Sequence, residues 1–238
     1  MIHCKKKQKL TSNDSGFTII ESLMAIIVVS ILMIAIAPAI VLSVATRVQA
    51  KRVELATDAA SSYVDAVRST TIDPPPITKR ATGATTDPAP PDAPSGTLKC
   101  EYSSKYCDLP VTNPSTSSLF CVNGDTKEGC QNTSNKDMVV QAFGYHPTST
   151  TPENGYKLGV RVYRADAFKT GITLQAVKME LNRKRLLEQN LLSKNKPQPP
   201  LIEFTTEVTA KGTSFSDLCG RLEEKDSSGK NINLQSKC

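Results

Sequence analysis

Three kinds of residue in this chain of 238 amino acids could carry chemistry: its two histidines, its seven cysteines and one isolated carboxylate. His3 lies in a basic start, so any Ser-His-Asp or Cys-His arrangement would have to rest on His146. There is no glycine-rich dinucleotide fingerprint, no P-loop and no HExxH, and nothing in the sequence supports an enzyme or implies a cofactor. Cys100, Cys107, Cys121, Cys130, Cys219 and Cys238 lack the CxxC pairs of a zinc site, so no metal is expected there. An even set of six fits three disulfides in an oxidising compartment, with fifteen connectivities open. Pairing sequence neighbours joins Cys100 to Cys107, Cys121 to Cys130 and Cys219 to Cys238. The carboxylate is Glu21, the only charge between Phe17 and Ala45, a run in which 23 of 29 residues are apolar. A carboxylate in an apolar helix costs at least ~2–3 kcal/mol on insertion scales, less near the membrane edge. Glu21 is therefore either a headgroup-level side chain or the partner of a positive charge. Cleavage after Gly16 would supply such a charge as the amino group of Phe17, on the same subunit or a neighbour.

The elements that must position these residues begin with that apolar run. It exceeds the ~20 residues that span a bilayer core. It is also longer than a secretory h-region, and no A-x-A-like site follows it. The break in composition comes before it, at Lys5, Lys6, Lys7, Lys9 and the polar residues that lead to Gly16. The run should therefore be retained as an anchor. Positive charge alone sets the orientation weakly, because Arg47, Lys51 and Arg52 follow the run closely. The cysteines place the far side in an oxidising space, with the start of the chain in the cytoplasm. Beyond the run, Arg47, Lys51, Glu54, Asp58, Ser61, Asp65 and Arg68 form a polar stripe, and Val48, Leu55, Ala59, Tyr63 and Val67 an apolar one. Lys51–Glu54 and Asp65–Arg68 are i,i+3 pairs of opposite charge. One helix from Phe17 to Thr71 would be about 80 Å long, ended by Pro74, Pro75 and Pro76.

Gly16-Phe17-Thr18-Ile19-Ile20-Glu21-Ser22-Leu23, with the basic leader before it and the apolar helix behind, resembles the amino terminus of type IV prepilins and pseudopilins. The resemblance covers about 40 residues, from the leader to the end of the span. It implies that a prepilin peptidase cuts between Gly16 and Phe17 and methylates the Phe17 amine. It also implies that Glu21 guides docking in assembly by neutralising that amine. Pro38 falls where many pilins carry a helix-loosening proline. A 16-residue leader is longer than in many pilins, and Ser22 stands where an apolar residue is common. The family also supports a carboxy-terminal disulfide loop, here Cys219–Cys238. Implied partners are the prepilin peptidase, an inner-membrane assembly platform, other pilins or pseudopilins, and membrane lipid. The overall combination also resembles cyanobacterial pseudopilins associated with polysaccharide secretion and gliding.

The remainder is leaner in apolar residues, which disulfides can offset by a few kcal/mol each. Residues 73–96, with seven prolines, predict an extended loop. Met138–Phe143, Tyr156–Tyr163 and Ile202–Val208 predict strands, with Ile172–Val177 a shorter fourth. Residues 177–196 predict a basic helix without aromatics, which argues for a solvated face and against nucleic acid. Asn132-Thr133-Ser134 is a formal glycosylation acceptor, incidental in a bacterial protein. The expected fold class is α+β, a long amino-terminal helix packed on a small antiparallel sheet with disulfides. Its parts are a leader at 1–16, an assembly helix at 17–46, an amphipathic extension at 47–72, the proline-rich loop at 73–96 and a globular head at 97–238. The net charge of +6 falls to +3 once Lys5, Lys6, Lys7, Lys9 and Asp14 leave with the leader. The function expected is a minor pilin or pseudopilin serving motility, adhesion or secretion. The alternative is a membrane-anchored extracytoplasmic module binding glycan or DNA.

Overall fold

A computed structural model describes residues 16, 18–82, 84, 88–108, 116–176, 198–209 and 215. It contains α1 (Ile19–Arg68), β1 (Ile77–Lys79), β2 (Ser118–Val122), β3 (Met138–His146), β4 (Tyr156–Arg164) and β5 (Ile202–Val208), with 3-10 turns at Pro152–Asn154 and Ala165–Phe168. The chain divides into two compact units, residues 1–49 and 50–238. The expected helix at 177–196, the pair Cys219–Cys238 and Phe17 lie outside the described residues.

The first unit holds the apolar part of α1, and every residue from Thr18 to Val48 is exposed. Three of its hydroxyls are tied back to the helix itself. Ser22 Oγ donates to the Ile19 carbonyl at 2.8 Å, Ser30 Oγ to Ile26 at 2.8 Å and Thr46 Oγ1 to Ser43 at 2.9 Å. Such back-bonding lets Ser and Thr sit in an apolar helix without a water partner. Helix α1 continues through Pro38.

In the second unit, α1 buries Ala56, Ala59, Ala60, Tyr63, Val64 and Val67. Alternating steps of three residues and one make a single stripe, and the alanines let the helix axis approach the sheet. The buried stripe is wider than the sequence suggested, while Val48 is exposed and Leu55 only half-buried. The expected polar stripe is exposed throughout, and Lys51 Nζ meets Glu54 Oε2 at 3.1 Å. The Arg68 guanidinium reaches β5, donating to Thr206 Oγ1 at 2.9 Å and the Glu207 carbonyl at 3.2 Å.

Helix α1 stops at Arg68, short of the proline run, and a cap explains why. Thr71 N donates to the Ala66 carbonyl at 2.9 Å and Thr70 N to Val67 at 3.1 Å, with Thr70 at φ 57°. This is the Schellman arrangement, in which the left-handed residue is normally glycine. A β-branched residue there is strained by roughly 1–2 kcal/mol, against about 0.5–1 kcal/mol of extra backbone entropy for glycine. Thr70→Gly is therefore expected to raise stability by about 0.5–1 kcal/mol. A urea midpoint at or below that of the parent would contradict the strain.

The sheet is mixed rather than wholly antiparallel. β3 is central, with β4 antiparallel along one edge from Met138↔Arg164 to Tyr145↔Lys157. Its other edge is shared: β2 runs antiparallel over Met138–Ala142, and β1 runs parallel over Gly144–His146. β5 completes the far side, antiparallel to β4. The parallel pair arises because the segment after α1 returns beside the end of β3, where Gly144 N donates to the Pro76 carbonyl at 2.8 Å. A Cβ at Gly144 would sit 2.7 Å from Ile77 Cγ1, so glycine admits the approach. Thus the loop expected at 73–96 contains a short strand. Conversely, Ile172–Val177 forms no strand over its described residues, only the isolated bridge Leu174↔Gln198.

Both faces of the sheet are covered. Met138, Val140, Ala142, Leu158, Val160 and Val162 join the α1 stripe in one core. On the other face Leu119, Val139 and Tyr163 pack with Ala165, Phe168 and the cystine sulfurs. Cys100–Cys107 and Cys121–Cys130 are disulfides. Each closes a short loop, a constraint that contributes about 2–3 kcal/mol. The two loops are also laced to each other by the Cys130 N–H on the Cys100 carbonyl at 3.0 Å. Among these apolar groups Arg161 is 1% exposed. Its Nη1 donates to the Pro91 carbonyl at 2.5 Å and Gln141 Oε1 at 3.3 Å, and its Nε lies 3.3 Å from Glu203 Oε1. Gln141 Nε2 in turn donates to the Asp92 carbonyl at 2.7 Å. Two side chains of the sheet thus pin the proline-rich segment across its outer face.

Candidate functional site

The start of α1 is built by its own sequence. Thr18 accepts the Glu21 N–H on Oγ1 at 3.3 Å and the Ser22 N–H on its carbonyl at 3.1 Å. Thr18-x-x-Glu21 has the capping-box spacing, and a carboxylate in the first turn complements the positive end of the helix dipole. The cap was not apparent from the apolar pattern, although Thr three residues before Glu signals it. Gly16, two residues before Thr18, is exposed.

Glu21 projects from an exposed apolar helix. The next charged residue along α1 is Arg47, ~39 Å further at ~1.5 Å per residue. No cation of the helix itself can reach the carboxylate. Any ion-pair partner in an apolar medium must come from elsewhere, either an amine at the start of the chain or a second molecule. Around it, Leu23, Met24, Ile27, Ile31, Ile34 and Val41 are about half to three-quarters exposed. An apolar surface so large and continuous marks a membrane or protein contact. Among the described residues, α1 is the one helix long and apolar enough to cross a membrane.

Residues 11–37 match the family model described as the prokaryotic N-terminal methylation motif. The chain carries the type IV pilin and pseudopilin signature. This methylation motif spans the polar residues before Gly16, then Gly16, Phe17, Glu21 and the first half of the apolar helix, and stops one residue before Pro38. No curated protein and no solved structure matches the chain.

Elsewhere the candidate groups have structural work. His146, buried at the end of β3, accepts the Thr148 N–H at 3.1 Å and the Ser149 N–H at 2.8 Å on Nδ1. That nitrogen orders a turn. Asp137, fully buried, accepts from Gly124 N at 3.1 Å and Gln131 N at 3.0 Å, holding the loop between β2 and β3. Among the described residues no three His, Cys, Asp or Glu side chains gather as metal ligands would. The methylation motif and the exposed helix fit a membrane-anchored, pilin-like structural subunit better than a catalyst.

Proposed function

We propose that the chain is a minor pilin or pseudopilin. It is held in the inner membrane by residues 17–46, with its start in the cytoplasm and its head outside. A prepilin peptidase cuts between Gly16 and Phe17 and methylates the new amine. The subunit then joins other pilins or pseudopilins, through the inner-membrane assembly platform, in a pilus or secretion pseudopilus. The observation that carries this reading is Glu21, the one charge in the exposed apolar run up to Ala45, with no cation of that helix before Arg47. In assembly, its carboxylate pairs with a Phe17 amine. Pro38 removes one backbone hydrogen bond from the packed helix and eases its bending.

Mass spectrometry of the surface-displayed protein tests the first step, and the expected amino terminus is methylated Phe17. Gly16→Ala should leave the leader attached. Glu21→Ala should be processed yet fail to enter fibres. Surface display unchanged in both variants would sink the assembly reading and leave a membrane-tethered binding module.

A further inference from the structure

The two cystines of the head stand close enough to exchange partners. Cys100 and Cys130 face each other in an isolated antiparallel bridge, where the Cys130 N–H donates to the Cys100 carbonyl at 3.0 Å. Gly129 admits this approach. At φ 74° it lies against the Cys100 and Glu101 carbonyls, where a Cβ would overlap both. Directly opposite residues of an antiparallel pair share a face, with Cβ atoms about 4.5–5.5 Å apart. A disulfide needs about 3.5–4.5 Å. Cys100 and Cys130 are thus within about 1 Å of bonding range, although each is bonded to another cysteine.

The four cysteines do not meet solvent equally. Cys100, Cys121 and Cys130 are 7%, 0% and 4% exposed, whereas Cys107 is half-buried between exposed Lys105 and Asp108. Disulfide exchange depends on access and on which sulfur is attacked. An incoming thiolate meets Cys107 Sγ first, which makes Cys100 the leaving group. The freed Cys100 thiolate then lies opposite Cys130.

We propose that Cys107 is an S-thiolation site for a small-molecule thiol, coupled to an exchange of partners inside the head. The thiolate bonds to Cys107 Sγ and breaks Cys100–Cys107, and Cys100 Sγ takes the electron pair. Cys100 then attacks Cys130 Sγ, which forms Cys100–Cys130 and breaks Cys121–Cys130. Cys121 takes that electron pair, together with the proton the incoming thiol gave up. Two disulfides and one thiol enter, and two disulfides and one thiol remain, so neither oxidant nor reductant is consumed. The released Cys121 is fully buried, in the cluster that holds Leu119, Val139 and Tyr163. Apolar burial keeps such a thiol protonated and inert, so it does not attack back.

The test incubates the full chain, folded in detergent, with reduced glutathione at mildly alkaline pH. Free thiols are then trapped with a maleimide, and every cysteine is mapped by mass spectrometry. The expected product carries glutathione on Cys107, a Cys100–Cys130 bond and a trapped Cys121. Glutathione on Cys107 with Cys121–Cys130 intact overturns the exchange. Glutathione on Cys100, or on none of the four, overturns the site. A second measurement uses Cys107→Ser with Cys121→Ser, which leaves Cys100 and Cys130 to each other. Air oxidation should join them, with the near-ultraviolet dichroism of the wild type retained. Finding both as thiols in the folded variant, or either bonded to Cys4, Cys219 or Cys238, refutes the geometry. The wild-type map decides even where this variant loses its fold.

Discussion

Arg161→Ala is expected to destabilise the head by about 3–5 kcal/mol, the loss typical of breaking a buried ion pair by removing one partner. The change would take the Arg161 ion pair away from the Glu203 carboxylate, whose side chain is 3% exposed. It would also leave the Pro91 carbonyl and Gln141 Oε1 without the donor that joins them. The guanidinium further lies 5.1 Å from the centre of the Phe143 ring, whose own ring covers Gly159 across the strand pair. Since a domain's whole stability is ~5–15 kcal/mol, this one change should consume a large part of it. Urea unfolding of the full chain in detergent measures the loss. A companion variant separates charge from packing. Arg161→Met with Glu203→Leu removes both charges of this pair and should recover most of the stability. The segment carrying Pro91 and Asp92 should then be cut faster by protease, because it keeps only the Gln141 anchor of its two. A loss below about 1 kcal/mol for Arg161→Ala would mean that the carboxylate is satisfied without it.

Alkaline pH should unfold the head through its tyrosines. Tyr63 and Tyr163 are 0% and 1% exposed. Burial pushes both phenols well above their ordinary range, and Tyr106 and Tyr156 shift the same way for the same reason. Tyr63 also shares a hydrogen bond of 2.9 Å with Tyr106, whose hydroxyl donates to the Asp73 carbonyl at 2.6 Å. The sign is fixed by linkage. Above the unfolded value near 10, the unfolded chain releases these protons while the fold retains them, so stability is present below about pH 10 and lost above it. At about pH 11 each fully buried tyrosine contributes a loss of ~1.4 kcal/mol, so Tyr63 and Tyr163 together remove about 3 kcal/mol. The chain has no tryptophan, so tyrosinate absorbance can be followed cleanly against near-ultraviolet circular dichroism. The late part of the absorbance rise should coincide with loss of the dichroism. Complete ionisation of all tyrosines with the dichroism intact would refute the coupling.

What the sequence disclosed follows from how local each signal is. Glu21 within its apolar run is visible because composition alone marks it. β5 falls at Ile202–Val208 as expected because its alternation and β-branched residues act within a few positions. β3 and β4 are longer by three residues and one, since pairing with each other carries them past the apolar stretch. β1 was hidden because three residues beside a proline run carry no period, and only the edge of β3 makes them a strand. β2 was hidden in the same way, five residues whose partner is Met138–Ala142. Arg161 shows the limit most clearly. In a strand with Leu158, Val160 and Val162 on one face, it falls on the face usually left to water. Only the distant residues Pro91, Asp92 and Glu203, brought in by tertiary structure, make it a core residue.

The double occupancy of one β3 edge also orders the entropic cost of building the head. The connections 123–137 and 147–155 are short, so β2, β3 and β4 can meet as neighbouring hairpins. β1 must close across 80–137 and β5 across 165–201 before they gain any contact. Loop closure costs about 0.6 kcal/mol more for each doubling of length, and contacts between distant residues slow folding. The meander is therefore the cheapest nucleus, and Cys121–Cys130, which ties β2 to the loop that leads into β3, lies wholly within its reach. Arg161 meets its Gln141 partner inside that meander, but Glu203 and the carbonyl of Pro91 arrive only with the long closures. The buried charge is thus solvated until the last chain segments seal it.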